Sequence, residues 1–369
     1  MEEQDLIYLL ICAVNNVKPE PERVAGMDLE AIYRLASRHM LAAAAAPALD
    51  AAGVKDDRFS KALAASAVKN ARMDMDMEDI FAEMKAAGIW YLPLKGILLQ
   101  HLYPVYGMRE MSDHDILFDA ERAGDLKNIM EKLGFSTEYY DVSNHDVYHK
   151  EPKSSFEMHR YLFELGHDKK RDEYYRNIEK KLLGDGYEKH LSPEDFYIYV
   201  TAHEYKHYTD KGTGLRSLLD TYVYLQKQPL DMDYVKAEMD KLGMTAFETA
   251  NRTLAQHLFS GEDLKLTASE QKMLSYILSS GVYGTMEQKV GNKMRKNGLG
   301  KLRYAMTRFF VPLSPDNENY WAMSTFFPFF YKYKVFLPLL PFYRVIRGLK
   351  SGALKAELEA LKNTGYESK

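Results

Sequence analysis

Asp113 and Asp115 stand one residue apart in Met111-Ser-Asp-His-Asp-Ile-Leu-Phe118, a spacing with a specific chemical use. On an extended strand, residues two apart share a face. A strand over 113–118 therefore presents two carboxylates side by side, while Ile116, Leu117 and Phe118 bury it. Two adjacent anions repel each other unless a cation or proton compensates them. Mg²⁺ takes oxygen ligands and bridges protein carboxylates to substrate phosphates, and a third carboxylate on a neighbouring strand would complete a site for one or two ions. Glu157, in Ser154-Ser-Phe-Glu-Met-His-Arg160, is the candidate. His159 shares its face, placed to orient it or to touch substrate. In such a site metal ions activate an acceptor hydroxyl and stabilise a leaving pyrophosphate, and the third carboxylate assists deprotonation. Upstream, Lys95-Gly96 joins a short apolar strand to an apolar helical segment, an arrangement that offers backbone N–H groups to a phosphate. Lys95 adds a point charge and Arg109 a forked donor. His114 points to the opposite face by the same alternation.

A second pattern competes for the chemistry. His203-Glu-Tyr-Lys-His207 matches H-E-x-x-H. On a helix its two imidazoles lie one turn apart on one face, as zinc ligation requires, with Glu204 as general base. That reading makes the chain a zinc metalloprotease. Against it, Lys206 sets a cation inside the motif, no His follows at the metzincin spacing, and Asp220 is the nearest acidic residue on the next helix. A different reading turns His203, Lys206, His207 and Asp220 toward the carboxylate cleft or toward one another. Asp74 and Asp76, in Met73-Asp-Met-Asp-Met77, lie within a long helical pattern, where residues two apart do not share a face. They read as solvated helix residues.

These side chains need elements to position them. Apolar residues recur at helical spacing over 3–17, 28–48 and 57–88. The character changes at Gly88: residues 89–94 read as a buried strand, 113–118 as a second, 121–133 as an amphipathic helix closed by Gly134. Residues 135–142, 147–150 and 154–162 are further strands. From 172 onward the chain is mainly helical, with Ser192-Pro193 an apt helix start and Gly212 and Gly214 breaking the next helix pair. The Tyr197–Thr201 run reads as core packing. The expected organisation is an N-terminal helical segment (1–88), a small α/β core (89–170) and a C-terminal helical domain (171–369).

Composition sets the bounds. With 46% hydrophobic and 28% charged residues, disorder and fibrous architecture are excluded. A net charge of −4 gives no global reason to expect nucleic acid as a partner. The one cysteine, Cys12, rules out an intramolecular disulfide and any cysteine-rich zinc site. The acidic start Met1-Glu-Glu argues against a secretory signal, and the expected location is the cytoplasm. No run is apolar enough to span a membrane. The aromatic-rich stretch 321–346, interrupted by Lys332, Lys334 and Arg344, reads as packing against the protein or a partner subunit, or as a peripheral membrane contact.

Leu92-Pro-Leu-Lys-Gly96, the Leu-x-x-x-Tyr element ending at Tyr103, Arg109, Ser112-Asp-His-Asp-Ile-Leu117 and Phe156-Glu-Met-His159 together resemble the uncharacterised nucleotidyltransferase family of the DNA polymerase β superfamily. The resemblance is sharpest across residues 90–160. It implies an α+β fold: a small mixed β-sheet flanked by N-terminal helices and a C-terminal helical domain. It also implies Mg²⁺-dependent transfer of a nucleoside monophosphate from an NTP to an unidentified acceptor. Asp113 and Asp115 match the paired metal-binding aspartates, and Glu157 falls where the third acid is expected. Two positions depart from the superfamily pattern. Lys95-Gly96 stands where Gly-Ser is common, and His114 stands where an aliphatic residue is usual. A core that binds nucleotide or a partner without chemistry is the non-enzymatic alternative.

Overall fold

The computed structural model describes residues 1–166, 168–262, 265–314 and 320–364. Four helices open the chain: α1 (Glu2–Val14), α2 (Pro21–Ala25), α3 (Leu29–Arg38) and α4 (Ala42–Ala51). The helical pattern over 28–48 is thus two helices. Met40 takes φ 52°, a left-handed turn that no glycine announces, and buried His39 accepts the Leu215 N–H at 3.0 Å through Nδ1. The long helix α5 (Asp57–Ala86) starts where the Asp56 carboxylate accepts the Arg58 N–H.

The sheet follows, with strands β1 (Tyr91–Pro93), β2 (His114–Phe118), β3 (Ser136–Tyr139), β4 (His145–Lys150) and β5 (Ser154–His159). Their order is β1-β2-β5-β4-β3. Only the β2–β5 pair is parallel; the others are antiparallel. The short helix α6 (Gly96–Leu99) follows β1, and α7 (Ala123–Lys132) follows β2.

Both faces of the centre are covered, so all five residues of β2 are buried. One face packs on α5 and α7: Ile116, Phe118, Phe156 and Met158 join Ile80, Met84, Leu126 and Met130 in one cluster. The other face lies under helices from later in the chain. These are α8 (Lys169–Tyr175), α9 (Pro193–Asp210), α10 (Leu215–Lys227), α11 (Met232–Leu242) and α12 (Thr245–Phe259). There Leu92, Leu94 and Leu117 meet Phe196, Tyr197, Ile198, Tyr199 and Ala202 of α9. Ser192 caps α9 by accepting the Asp195 N–H, with Pro193 in the first turn. The Tyr197–Thr201 run is core packing, as expected.

The remaining helices are α13 (Ala268–Ser280), α14 (Met286–Asn297), α15 (Lys301–Phe309), α16 (Tyr320–Phe326), α17 (Pro328–Lys332), α18 (Leu340–Ser351) and α19 (Ala353–Asn363). Helices α1–α4 share a hydrophobic cluster with α10, α12 and α13. The architecture is α+β: a small mixed sheet enclosed by helices from both ends of the chain. Among the described residues no helix is long and apolar enough to cross a membrane.

Candidate functional site

Strand pairing sets the geometry. In the parallel β2–β5 register Asp115 lies opposite Glu157, and Leu117 opposite His159. Alternation sends Asp115, Glu157 and His159 to the α9 side of the sheet, while His114, Ile116, Phe156 and Met158 go to the α5 side. Asp113 occupies the residue just before β2, at the open end of the same face.

One oxygen of Asp115 carries two contacts. Its Oδ1 accepts from Lys95 Nζ at 2.7 Å and lies 2.8 Å from His159 Nε2. Burial opposes charge on Asp115, but the Lys95 ammonium and the His159 contact overcome it and hold the carboxyl well below its usual range. Asp113 behaves in the opposite sense. Burial, followed by the negative charges of Asp115 and Glu157, pushes its carboxyl up to about 6. Glu157 lies 3.5 Å from His159 Nε2 and 3.7 Å from His145 Nε2. Burial raises its carboxyl, and hydrogen bonding to His159 more than offsets this, leaving it below the usual value.

His145 is a functional candidate that strand and motif reading did not single out. It faces His159 across the β4–β5 pair, ring centroids 5.0 Å apart. Among the described residues, His145, Glu157 and His159 form the group whose ligand atoms converge closely enough, within 4.8 Å of one another, to hold a metal ion. The signal was available in the turn. Counting outward from it pairs Lys150 with Ser154, and therefore His145 with His159.

The Lys95–Gly96 turn is built for close approach. Lys95 has φ 45° and ψ −114°, a strained conformation for a residue with a side chain. It is held from both sides, because the Leu94 N–H donates to the Asp115 carbonyl at 2.9 Å and the Lys95 carbonyl accepts the Leu99 N–H at 3.1 Å. A Cβ on Gly96 would come within 2.5 Å of Arg109 Nη1 and 2.4 Å of Met111 Cε, so only glycine fits without displacing them.

Arg109, expected at a phosphate, lies buried behind that turn. Its Nε and Nη2 donate to the two oxygens of Asp220 at 2.8 and 2.9 Å, and Tyr103 donates to the same carboxylate at 2.7 Å. This bidentate pair fastens the segment before β2 to α10; removing one partner of such a buried pair costs about 3–5 kcal/mol. The segment has two further ties. Lys69 on α5 donates to the Met111 and Ser112 carbonyls, each at 2.8 Å, and Arg216 donates to the Glu110 carbonyl at 2.9 Å. The charges of Lys69 and Arg216 both reach Asp113.

Asp76 is buried and Asp74 half-buried, where both read as solvated. Asp74 lies 3.0 Å from His114 Nε2 and accepts from Gln100 and Tyr106. Asp76 is buried and accepts from Lys150 and Ser154. The two carboxylates pin α5 to the sheet and to the loop after α6. His114 is fully buried on that far side, as alternation required.

The H-E-x-x-H segment lies on α9, where the charges of Lys95 and Asp115 reach His203. His203 and His207 face each other, Nε2 to Nε2 at 3.2 Å. Burial and then the Lys95 charge hold His203 well below the usual histidine range; burial and the nearby lysines lower His207 to about 4. Glu204 turns elsewhere. Its Oε2 accepts from Asn251 of α12 at 3.0 Å, and burial pushes it up to about 7. Because the glutamate points into the helical core, it does not stand beside the imidazole pair as a zinc protease requires. Among the described residues the histidine pair belongs to no group of metal ligands.

With this geometry in place, comparison with known proteins supplies the family. The chain matches the family described as uncharacterised nucleotidyltransferase over residues 25–260, more than half its length, and belongs to it. No curated protein and no solved structure matches it. The matched region runs from the N-terminal helices through the sheet to α12.

Proposed function

We propose that the chain transfers a nucleoside monophosphate from an NTP to an acceptor bearing a hydroxyl or phosphate group. The observation that carries this reading is the Asp115–Glu157 register on two parallel central strands, with Asp113 one residue before the first. The donor set suits a divalent cation. The Asp113 carboxylate makes no hydrogen bond among the described residues, and burial, followed by the negative charges of Asp115 and Glu157, raises its carboxyl. Asp113, Asp115 and Glu157 would hold Mg²⁺, and Glu157 also converges with His145 and His159, their ligand atoms within 4.8 Å of one another. An ion held there would supply charge that lowers the pKa of an acceptor hydroxyl and offsets the negative charge of a departing pyrophosphate.

The protein's own groups do the rest. The acceptor oxygen attacks the α-phosphorus, the bond from that phosphorus to the oxygen bridging the β-phosphate breaks, and pyrophosphate leaves with the bonding electrons. Glu157 takes the hydroxyl proton when the acceptor is an alcohol. Lys95 sets its ammonium beside the phosphates while also orienting Asp115. Gly96 lets the turn approach them closely, His159 fixes the rotamer of Asp115, and Arg109 acts from behind by holding the turn through Asp220. Helix α9, with neutral His203 and His207, walls the cleft.

The test is pyrophosphate release from each NTP, across a panel of acceptors, with Mg²⁺ or Mn²⁺ present. Wild type should release pyrophosphate, Asp115→Asn should lose about 10³-fold or more, and the far-ultraviolet circular dichroism should not change. Lys95→Met should weaken NTP binding by about tenfold or more. Undiminished transfer by Asp115→Asn would remove the proposed centre, and unchanged NTP affinity in Lys95→Met would remove lysine from the phosphates.

A further inference from the structure

A segment near the C-terminal end, beyond the family-matched region and helices α13–α15, has an unusual surface. From Tyr320 to Ala356 it carries six cations, Lys332, Lys334, Arg344, Arg347, Lys350 and Lys355, and no carboxylate, within a chain whose net charge is −4. Little of it is buried. Tyr331, Leu337 and Leu340 form its small core, whereas Phe326, Phe329, Val335 and Leu339 are 53–78% exposed.

Helix α18 makes the pattern explicit. Phe342, Ile346 and Leu349 follow one another at helical spacing and are 56–63% exposed. Tyr343, Arg347 and Lys350 form the adjoining stripe and are also exposed. A surface helix in a water-soluble fold turns its apolar stripe to the core. Here the apolar stripe faces outward with a basic stripe at its side. Beneath this helix lies a cavity of about 340 Å³, walled by Phe309, Phe327, Leu354 and Leu358, with Arg344 and Arg347 on its lining.

We propose that this face docks on an anionic phospholipid bilayer, lying in the interface and not crossing it. Aromatic rings suit the headgroup level, cations suit anionic headgroups, and the apolar stripe enters the acyl boundary. Pro328, Pro338, Pro341 and the lysines break the run well short of a membrane span. The absence of any carboxylate across this stretch favours an anionic surface over a second copy of this net-acidic chain's basic face, which would oppose like charge to like. The recess sets Arg344 and Arg347 among hydrocarbon walls, and the Glu357 carboxylate on the same lining is ion-paired with Arg308.

Vesicle flotation of the full chain tests this directly. The chain should float with vesicles of phosphatidylcholine mixed with phosphatidylglycerol, remain behind with phosphatidylcholine alone, and release as salt is raised. Ile346→Asp, and separately the double change Arg347→Glu and Lys350→Glu, should lower vesicle affinity at least tenfold. Each altered side chain is exposed, and unchanged thermal unfolding would establish intact folding. The proposal is overturned if the chain ignores anionic vesicles, or if the variants bind as wild type does. It is equally overturned if sedimentation reveals a dimer that Ile346→Asp dissociates, for then a second copy covers the face. None of these outcomes depends on nucleotide chemistry.

Discussion

At the scale of single residues, the carboxylates divide their work by environment. Asp115 has a permanent counter-cation in Lys95, so it stays ionised at every ordinary pH. Asp113 has no such partner and is pushed up to about 6 by burial and by the charges of Asp115 and Glu157. Below that pH it holds a proton that an incoming divalent cation must expel. Affinity for Mg²⁺ or Mn²⁺ should therefore climb with pH, by up to about tenfold per unit, and level off above about 6, with one proton released per ion on the acid side. Calorimetric titration in buffers of different ionisation enthalpy measures both quantities. Asp113→Asn should bind more weakly and lose that pH dependence; a variant that keeps the slope would assign the proton to another group. Asp113 and Asp115 are legible as a pair because a two-residue period on a strand is a rigid rule. Lys95's left-handed turn and the Arg109–Asp220 bond are not legible. The first contradicts the local preference of a residue with a side chain, and the second joins residues 111 apart in the chain.

Elements decide what a motif can do. H-E-x-x-H fixes only the angle between residues on α9 and leaves open which face meets the core. The packing turns Glu204 inward, against α10 and α12, with Asn251 on one oxygen and no hydrogen-bond partner on the other. Burial raises this carboxyl from 4.5 to about 7, a shift worth on the order of 3 kcal/mol. Because the folded chain keeps the proton that the unfolded chain gives up, stability from this group is full below about 4.5 and falls as pH rises through about 7. Glu204→Gln carries no such proton. Relative to wild type it should gain stability progressively across that window, on the order of 3 kcal/mol by mildly alkaline pH, read from urea unfolding at several pH values. Pyrophosphate release should be untouched. A flat difference between the two proteins would place an ionised Glu204 in the fold. The outcome also separates the chemistries, since a zinc protease deprived of its general base would be inactive. Helix starts at Ser192-Pro193 and the strands around 113–118 and 154–159 follow from local chemistry and are readable early. The break at Met40 and the inward turn of Glu204 depend on partners far along the chain, Leu215 and Asn251.

At the scale of the whole molecule, the sheet is enclosed by helices that arrive from both ends of the sequence. Leu6, Leu9 and Leu10 of α1 lie in the same buried cluster as Leu215, Leu218 and Leu219 of α10 and Leu254 of α12. Helix α10 also carries Asp220, which holds Arg109 and the segment leading into β2. Packing at the N-terminus is thereby coupled through α10 to the segment that leads into the carboxylates. Periodicity alone reveals which face of α1 is apolar but not which later helix covers it, because that contact joins residues about 200 apart in the chain. Leu9 is fully buried, and Leu9→Ala should cost about 2–5 kcal/mol of unfolding free energy. If the clusters form one cooperative unit, the loss appears everywhere at once. In a Trp321→Phe background, fluorescence reports from Trp90, which packs against the cluster between the sheet and α9. Its urea midpoint should fall together with the far-ultraviolet helical signal. A Trp90 transition that stays in place while the helical signal moves would mean that the sheet stands independently of its N-terminal helices.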